Sequence, residues 1–309
     1  MTPAQRRKKL AAFKKGKDEK GFLWSKIVSV ILFFLFTFVY ILATSNFFGK
    51  GGILTVVVNR RDSLLISTFD KESGLITNLV VPGETQLNVS RQLGTWKAGS
   101  LWKLGENEKL SGVLLTETII KNFKIPVVAW ADEPFSKISE GEVISMPKAI
   151  FGYKTNLGVG DRIRLAFFSL GVPPIKRVNI NLSEGSSLKK TKLIGGEEGY
   201  LVSDNLPESL NSIFSDTKIN SLKPRILIED YQVKSGSVDI LVLTLEVMGG
   251  KVTSIAKKEA KEFYCEVSGV HKYTVKKVAQ VFGCTKGAEA QISNFDLTLK
   301  VGSDFGERF

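Results

Sequence analysis

Between Ile27 and Thr44 the chain runs without a charge, IVSVILFFLFTFVYILAT, and the next charged residue is Lys50. A helix lying on a soluble core keeps a polar stripe, and this run has none. About 17–25 apolar residues is the length at which a helix crosses a bilayer, and backbone groups in lipid must bond within their own segment. The pattern therefore predicts a transmembrane helix over residues 27–44, with Trp24 and Tyr40 near its two ends. Past a glycine-rich joint at Gly49, Gly51 and Gly52 the pattern breaks into short apolar runs. ILTVVV (53–58), SLLISTF (63–69) and LITNLVV (75–81) read as three strands, joined by residues 59–62 and by a turn at 70–74, and closed by Pro82-Gly83. Residues 91–104 read as loop. Leu110, Val113, Leu114, Glu117 and Ile120 recur at helical spacing and predict a helix over 107–123, ended at Pro126, with a strand at 127–130. Residues 131–158 read as irregular. A helix over 162–170, capped by Asp161, precedes a strand at 176–182, a loop at 183–199 and a short helix at 207–214.

Residues 215–224 read as a linker to a smaller unit. There a strand (225–230) is followed by an apolar segment (236–248) that Gly249-Gly250 marks as a helix, with a strand left open as the other reading. Strands at 251–257 and 262–267, a helix at 272–282 stopped by Gly283, and a strand at 295–302 complete the chain. This β-α-β-β-α-β order suggests a ferredoxin-like layer. The predicted fold class is α/β: an N-terminal transmembrane helix, an extracytoplasmic mixed α/β domain and a small C-terminal ferredoxin-like α+β domain. The predicted divisions are 1–26, 27–44, 53–214 and 225–309.

Charge sets the orientation of the span. Nine basic residues stand before position 27 against Asp18 and Glu19, which leaves 34 basic and 29 acidic residues beyond, of 43 and 31 in all. The positive-inside rule puts the tail in the cytoplasm and everything past about Ser45 outside. Ala43 and Ser45 would also suit a signal-peptide cleavage site, but the apolar run exceeds the roughly 7–15 residues of a signal core, so an uncleaved anchor is the preferred reading. The net charge of +12 is mostly the tail's. Placed directly before a span, it points to anionic lipid and topology rather than to nucleic acid. The two cysteines, Cys265 and Cys284, are too few for a disulfide scaffold or a zinc site. One disulfide between a strand and the end of the next helix, or two buried thiols, are the alternatives. The single histidine, His271, opens a predicted helix and reads as a cap or surface residue. Acceptor-like triplets at Asn88 and Asn181 gain no support from any other feature.

With these elements in place the chain resembles the LytR-CpsA-Psr family, whose members attach glycopolymers to bacterial cell walls from a polyprenyl-pyrophosphate carrier. RRDSLLISTFDKESGLITNLVVP resembles the family stretch in which an aspartate opens one strand and a second strand ends in a proline-arginine-aspartate triplet. LSGVLLTETIIKNFKIPVVAW resembles the first long helix and the strand after it. YTVKKVAQVFGC followed by FDLTLKVGSDF is similar to the last helix and strand of the LytR C-terminal domain. The resemblance implies a pyrophosphate held by cations and a metal ion. It puts Asp62 at the strand-opening aspartate and matches the family's later arginines only loosely, at Arg162 and Arg164. The triplet reads Pro82-Gly83-Glu84 here, so its arginine is missing.

The pyrophosphate candidates are thus Arg61, Asp62, Lys97 and Arg162, gathered where the loops after the first and third strands meet the helix at Asp161. Asp62 is the candidate metal ligand, for magnesium if the site is intact. The first two strands, with Phe167 and Phe168, are expected to line an apolar channel for a polyprenyl tail. Three function classes follow. The first is a degenerate envelope protein of this family, binding a polyprenyl-linked glycan, a wall polymer or a partner. The second is an active glycopolymer transferase, and the third a membrane-tethered regulator. The missing guanidinium removes charge-assisted hydrogen bonds that transfer chemistry relies on, and favours the first.

Overall fold

A computed structural model of the chain describes residues 24, 26–40, 45, 52–142, 145–193, 196–203, 207–233, 236–288 and 294–309. Residues 26–40 form a helix, α1, whose apolar side chains are exposed around its circumference. Among the described residues no helix is long and apolar enough to cross a membrane, and residues 41–44 of the predicted span lie outside them.

Three strands, β1 (Ile53–Arg60), β2 (Ser63–Asp70) and β3 (Leu75–Pro82), form an antiparallel meander in which Arg60 faces Ser63 and Asp70 faces Leu75. The second turn uses Gly74 at φ +69°, a conformation that costs glycine nothing. A hairpin, β4 (Thr85–Asn88) and β5 (Thr95–Lys97), leads into two helices, α2 (Leu101–Asn107) and α3 (Val113–Phe123). The sequence suggested one helix from 107 and a loop before it. The chain instead breaks at Lys109 and Ser111, both left-handed, and Gly112 packs so tightly on Trp130 that a Cβ would lie 2.3 Å from its ring.

β6 (Ala129–Ala131) runs parallel to β1, and β7 (Arg177–Asn181) parallel to β3, giving a five-stranded sheet of order β6-β1-β2-β3-β7. The continuous apolar run of β1 follows from its inner position: Leu54 to Val58 are buried on both faces. Between β6 and β7 lie α4 (Ser136–Glu140), α5 (Met146–Phe151) and α6 (Val159–Gly171), where only α6 was legible. The expected loop at 183–199 is largely a second hairpin, β8 (Leu188–Lys192) and β9 (Glu198–Val202), in a sheet of order β5-β4-β9-β8. Its edge strand carries Lys189, Lys190 and Lys192, which hides the apolar alternation and protects the edge. Past β9 comes α7 (Glu208–Asn211).

The predicted linker is a structured junction. It forms α8 (Thr217–Leu222), and its cap Asp216 is buried, accepting from the amides of Lys218 and Ile219 and, at 2.6 Å, from the Tyr273 hydroxyl. Lys277, buried beside it, donates to the carbonyl of Ile53. The third sheet, of order β11-β10-β14-β12-β13, comprises β10 (Arg225–Asp230), β11 (Lys251–Lys257), β12 (Cys265–Gly269), β13 (Thr285–Lys286) and β14 (Leu297–Val301). α9 (Ser237–Val247) precedes β11 and α10 (Lys272–Phe282) precedes β13.

This corrects the ferredoxin-like expectation. In that layer a strand intervenes within each β-α-β unit, whereas here β11 lies directly beside β10, and β13 beside β12, each pair parallel. The connection Met248-Gly249-Gly250, with Gly249 at φ +99°, returns the chain straight onto its own first strand.

Cys265 and Cys284 are joined, with Cα atoms 4.8 Å apart. His271 is the N-cap residue of α10. The last helix, α11 (Ser303–Arg308), reaches back to α3: buried Glu117 accepts from Arg91 at 2.7 and 2.9 Å and from Arg308 at 2.7 Å.

Candidate functional site

The loops after β1 and β3 meet at one end of the first sheet. The turn between β1 and β2 is Arg61-Asp62, with both side chains exposed. The Gly83 amide donates to the Asp62 carbonyl at 3.0 Å, and the Gly99 amide donates to the Gly83 carbonyl at 3.0 Å. Three backbone segments are thereby stitched together through two glycines. A Cβ at Gly83 would lie 2.7 Å from the Asp62 oxygen and 3.6 Å from the Gly99 Cα. Position 83 is where the sequence resemblance would place the triplet arginine, and any side chain there requires the backbone to move.

Lys97 reaches the same end through Glu84, paired at 2.7 Å, and also bonds Glu197. Its hydrogen bonds to Glu197 and then to Glu84 raise its pKa to about 12. It is a fixed cation, but two carboxylates already answer its charge. Arg60, one residue before the turn, pairs with Glu140 at 2.9 Å. Beside it opens a cleft of about 780 Å³ in whose wall Arg60, Lys137 and Lys148 face Glu133, Glu140 and Glu142. This lining is balanced in charge rather than cationic.

Arg162 belongs to a different set of contacts. Its guanidinium donates to the carbonyls of Leu157 (2.9 Å), Ile150 (3.4 Å) and Thr155 (3.5 Å) and lies 5.4 Å from the Tyr153 ring centroid. Burial pushes the Tyr153 hydroxyl pKa upward. These contacts tie α6 to the segment before it, and none reaches Arg61, Asp62 or Lys97. Asp161 is buried and accepts from the Ser45 hydroxyl.

Among the described residues no three histidine, cysteine or acidic side chains gather as a metal site, and Asp62 is exposed in its turn. Of the residues expected to line an apolar channel, Phe168 is partly buried against the core. Leu54, Val56, Val58, Leu64, Leu65 and Ile66 of β1 and β2 are fully buried in a packed core, and Phe167 points outward with 59% of its surface exposed.

Two positions escaped the sequence reading. Gly83 gave a signal, a glycine directly after the proline that ends a strand, without its meaning. Arg177 gave none. From the start of β7 its guanidinium bonds the carbonyls of Ile138, Ser139, Ser169 and Val172, the C-terminal ends of α4 and α6. Helix C-termini carry partial negative charge, so the cation is held there without a carboxylate. Burial lowers its pKa.

No protein-family model and no curated protein matches the chain. Several solved structures are similar to it over about half its length. TagV of B. subtilis shares 10% identity, with 50% of this chain and 92% of that chain covered, at a TM-score of 0.38. The LytR-CPS2A-Psr family protein YwtF (TagT) with bound octaprenyl pyrophosphate lipid shares 15%, covering 53% and 88%, at 0.36. Lin1025 of Listeria innocua shares 12%, covering 52% and 93%, at 0.35.

Proposed function

We propose that the chain is a membrane-anchored, extracytoplasmic cell-envelope protein of LytR-CpsA-Psr type that binds a polyprenyl-pyrophosphate-linked glycopolymer or wall glycan and has lost the transfer reaction. The observation that carries this reading is the closure at Gly83. A transferase needs guanidinium groups aimed at the pyrophosphate. Here the triplet arginine is replaced by a glycine whose backbone occupies the space, Glu84 engages Lys97, and Arg162 is turned to carbonyls of its own domain. Arg61 and Asp62 remain as an exposed cation and carboxylate at the rim. A magnesium ion would draw one protein ligand, Asp62, with water and phosphate oxygens supplying the rest.

The anchor reading, with divisions at 1–26, 27–44, 53–214 and 225–309, is supported by the charge imbalance before residue 27. It is supported too by a helix whose apolar side chains face outward all round. Labelling of Ser100→Cys in intact cells should succeed without permeabilisation, and labelling only after lysis would reverse the orientation. The binding reading is tested by titrating the full chain in nanodiscs with octaprenyl pyrophosphate, alone and with Mg²⁺. Saturable binding that Arg61→Ala and Asp62→Ala each weaken several-fold is expected. Absent binding, or binding indifferent to both substitutions, would remove the site.

A further inference from the structure

The helix α6 is apolar on two sides. One side buries Leu165, Ala166 and Ser169, and the Ser169 hydroxyl donates to the Ile138 carbonyl in α4. On the other, Val159, Phe167 and Leu170 project outward at helical spacing. Val159, Phe167 and Leu170 are 40%, 59% and 58% exposed. Ile175, in the turn after the helix, is 88% exposed, and Phe151, at the end of the neighbouring α5, is 64% exposed. Large apolar side chains clustered on one surface mark a face that another body covers.

Two features identify that body as a lipid bilayer. First, Ser45 stands one residue beyond the predicted anchor, is buried, and donates to Asp161 in the first turn of α6. The chain therefore leaves the membrane against the start of this helix. At 1.5 Å per residue, Leu170 is only about 13 Å further along its axis. Second, residues 159–178 carry Arg162, Arg164, Lys176 and Arg177 against the single acid Asp161, itself buried. Arg162 and Arg177 donate to carbonyls rather than to carboxylates, so these acceptors add no formal negative charge to the surface. An apolar stripe beside basic residues is the composition of a helix lying in an anionic headgroup layer.

We propose that the outer face of α6, with Phe151 and Ile175, lies in the interface of the bilayer that holds the anchor, docking the α/β domain on an anionic lipid surface. The inference rests on the anchored reading. It is tested with the full chain reconstituted in nanodiscs of anionic phospholipid, with and without spin-labelled quencher lipid. A fluorophore is placed at Lys176→Cys, or at Phe36→Cys within the anchor. The two native cysteines are bonded to each other and do not compete for the label.

Quenching at least twofold at both positions is expected. Replacing Phe167, Leu170 and Ile175 together by serine should halve the quenching at position 176 and leave position 36 unchanged. Quenching at 36 but not at 176, or quenching at 176 that survives the serine replacements, would overturn the docking and leave the anchor standing. No quenching at 36 would instead defeat the anchored reading, and the docking with it. A disulfide-linked dimer of unlabelled Ile175→Cys in the nanodisc would overturn the docking by giving the face to a second copy of the chain.

Discussion

Gly83→Ala tests the closure of the loop end. The new Cβ would sit 2.7 Å from the Asp62 carbonyl oxygen, where unbonded heavy atoms prefer roughly 3.5 Å. The turn after β1 and the loop after β3 must therefore part by about 0.8 Å. That stretches the 3.0 Å bond from Gly83 to Asp62 beyond hydrogen-bonding range and strains the one from Gly99. One lost backbone bond costs about 1 kcal/mol, and overpacking adds roughly 1–3 kcal/mol, for a total of about 2–4 kcal/mol. With a urea dependence of about 2–3 kcal/mol per molar, the unfolding midpoint should fall by about 1 M. The assay is urea unfolding followed by tryptophan fluorescence, since Trp102 and Trp130 pack against each other in the same domain. Gly185→Ala is the control, because its Cβ meets nothing within 4 Å and the destabilisation should be near zero. Gly83→Arg, which supplies the family residue, should be at least as damaging as alanine and should not create activity. If Gly83→Ala and Gly83→Arg both unfold with the wild-type midpoint, the loop has room for an arginine and the closure argument fails.

Three further outcomes follow, the first two from the packing between the two halves. Glu117→Ala strands Arg91 and Arg308, and because both arginines are partly exposed the loss should be roughly 2–4 kcal/mol, read as a lower unfolding midpoint. Burial drives Lys277 from an ordinary 10.5 down to about 8, against the opposing pull of Asp216 and with Lys276 adding to the shift. Between those values the unfolded chain holds more protons, so stability is lowest below about pH 8 and rises with pH by about 3 kcal/mol across the window. Lys277→Met should flatten that rise, measured between pH 7.5 and 9.5 to stay below the range in which tyrosines of the unfolded chain ionise. Cys284→Ser opens the bond across a separation of 19 residues and should lower the unfolding free energy by about 3 kcal/mol in chemical denaturation.

The meander β1–β3 was legible because its runs are apolar, β-branched and separated by turn residues, and because a strand between two others shows its burial on both faces. The helices α3, α6, α9 and α10 were legible through spacing and glycine stops. What failed to show had physical reasons. β8 is a polar edge strand and β9, beside it, is only five residues long, held in part by the pair Lys190–Glu198 at 2.7 Å, so no apolar alternation announced them. The break between α2 and α3 depends on Trp130 meeting Gly112, a contact with a residue 18 positions further on. The strand order of the third sheet turns on whether β11 falls beside β10, and element order alone does not say so. At the loop end, residue types were readable but partners were not. Lys97 read as an available cation, and its two carboxylates come from Glu84, thirteen residues earlier, and Glu197, on the far hairpin. Arg162 read as a site arginine, and its acceptors are carbonyls, which leave no mark in a sequence. The absence of the triplet arginine was visible. That the space for it had closed required the approach of three backbone segments.

The central claim is that ligand capture outlived transfer. The measurement that meets it most directly follows the release of free polyprenyl pyrophosphate from a lipid-linked glycopolymer by the full chain in nanodiscs, with Mg²⁺ and an acceptor wall glycan present. Binding of the lipid-linked donor should be measured in the same samples. The account predicts saturable donor binding with release no faster than in protein-free nanodiscs. Release that depends on the protein and disappears in Arg61→Ala or Asp62→Ala would show an active transferase and contradict it.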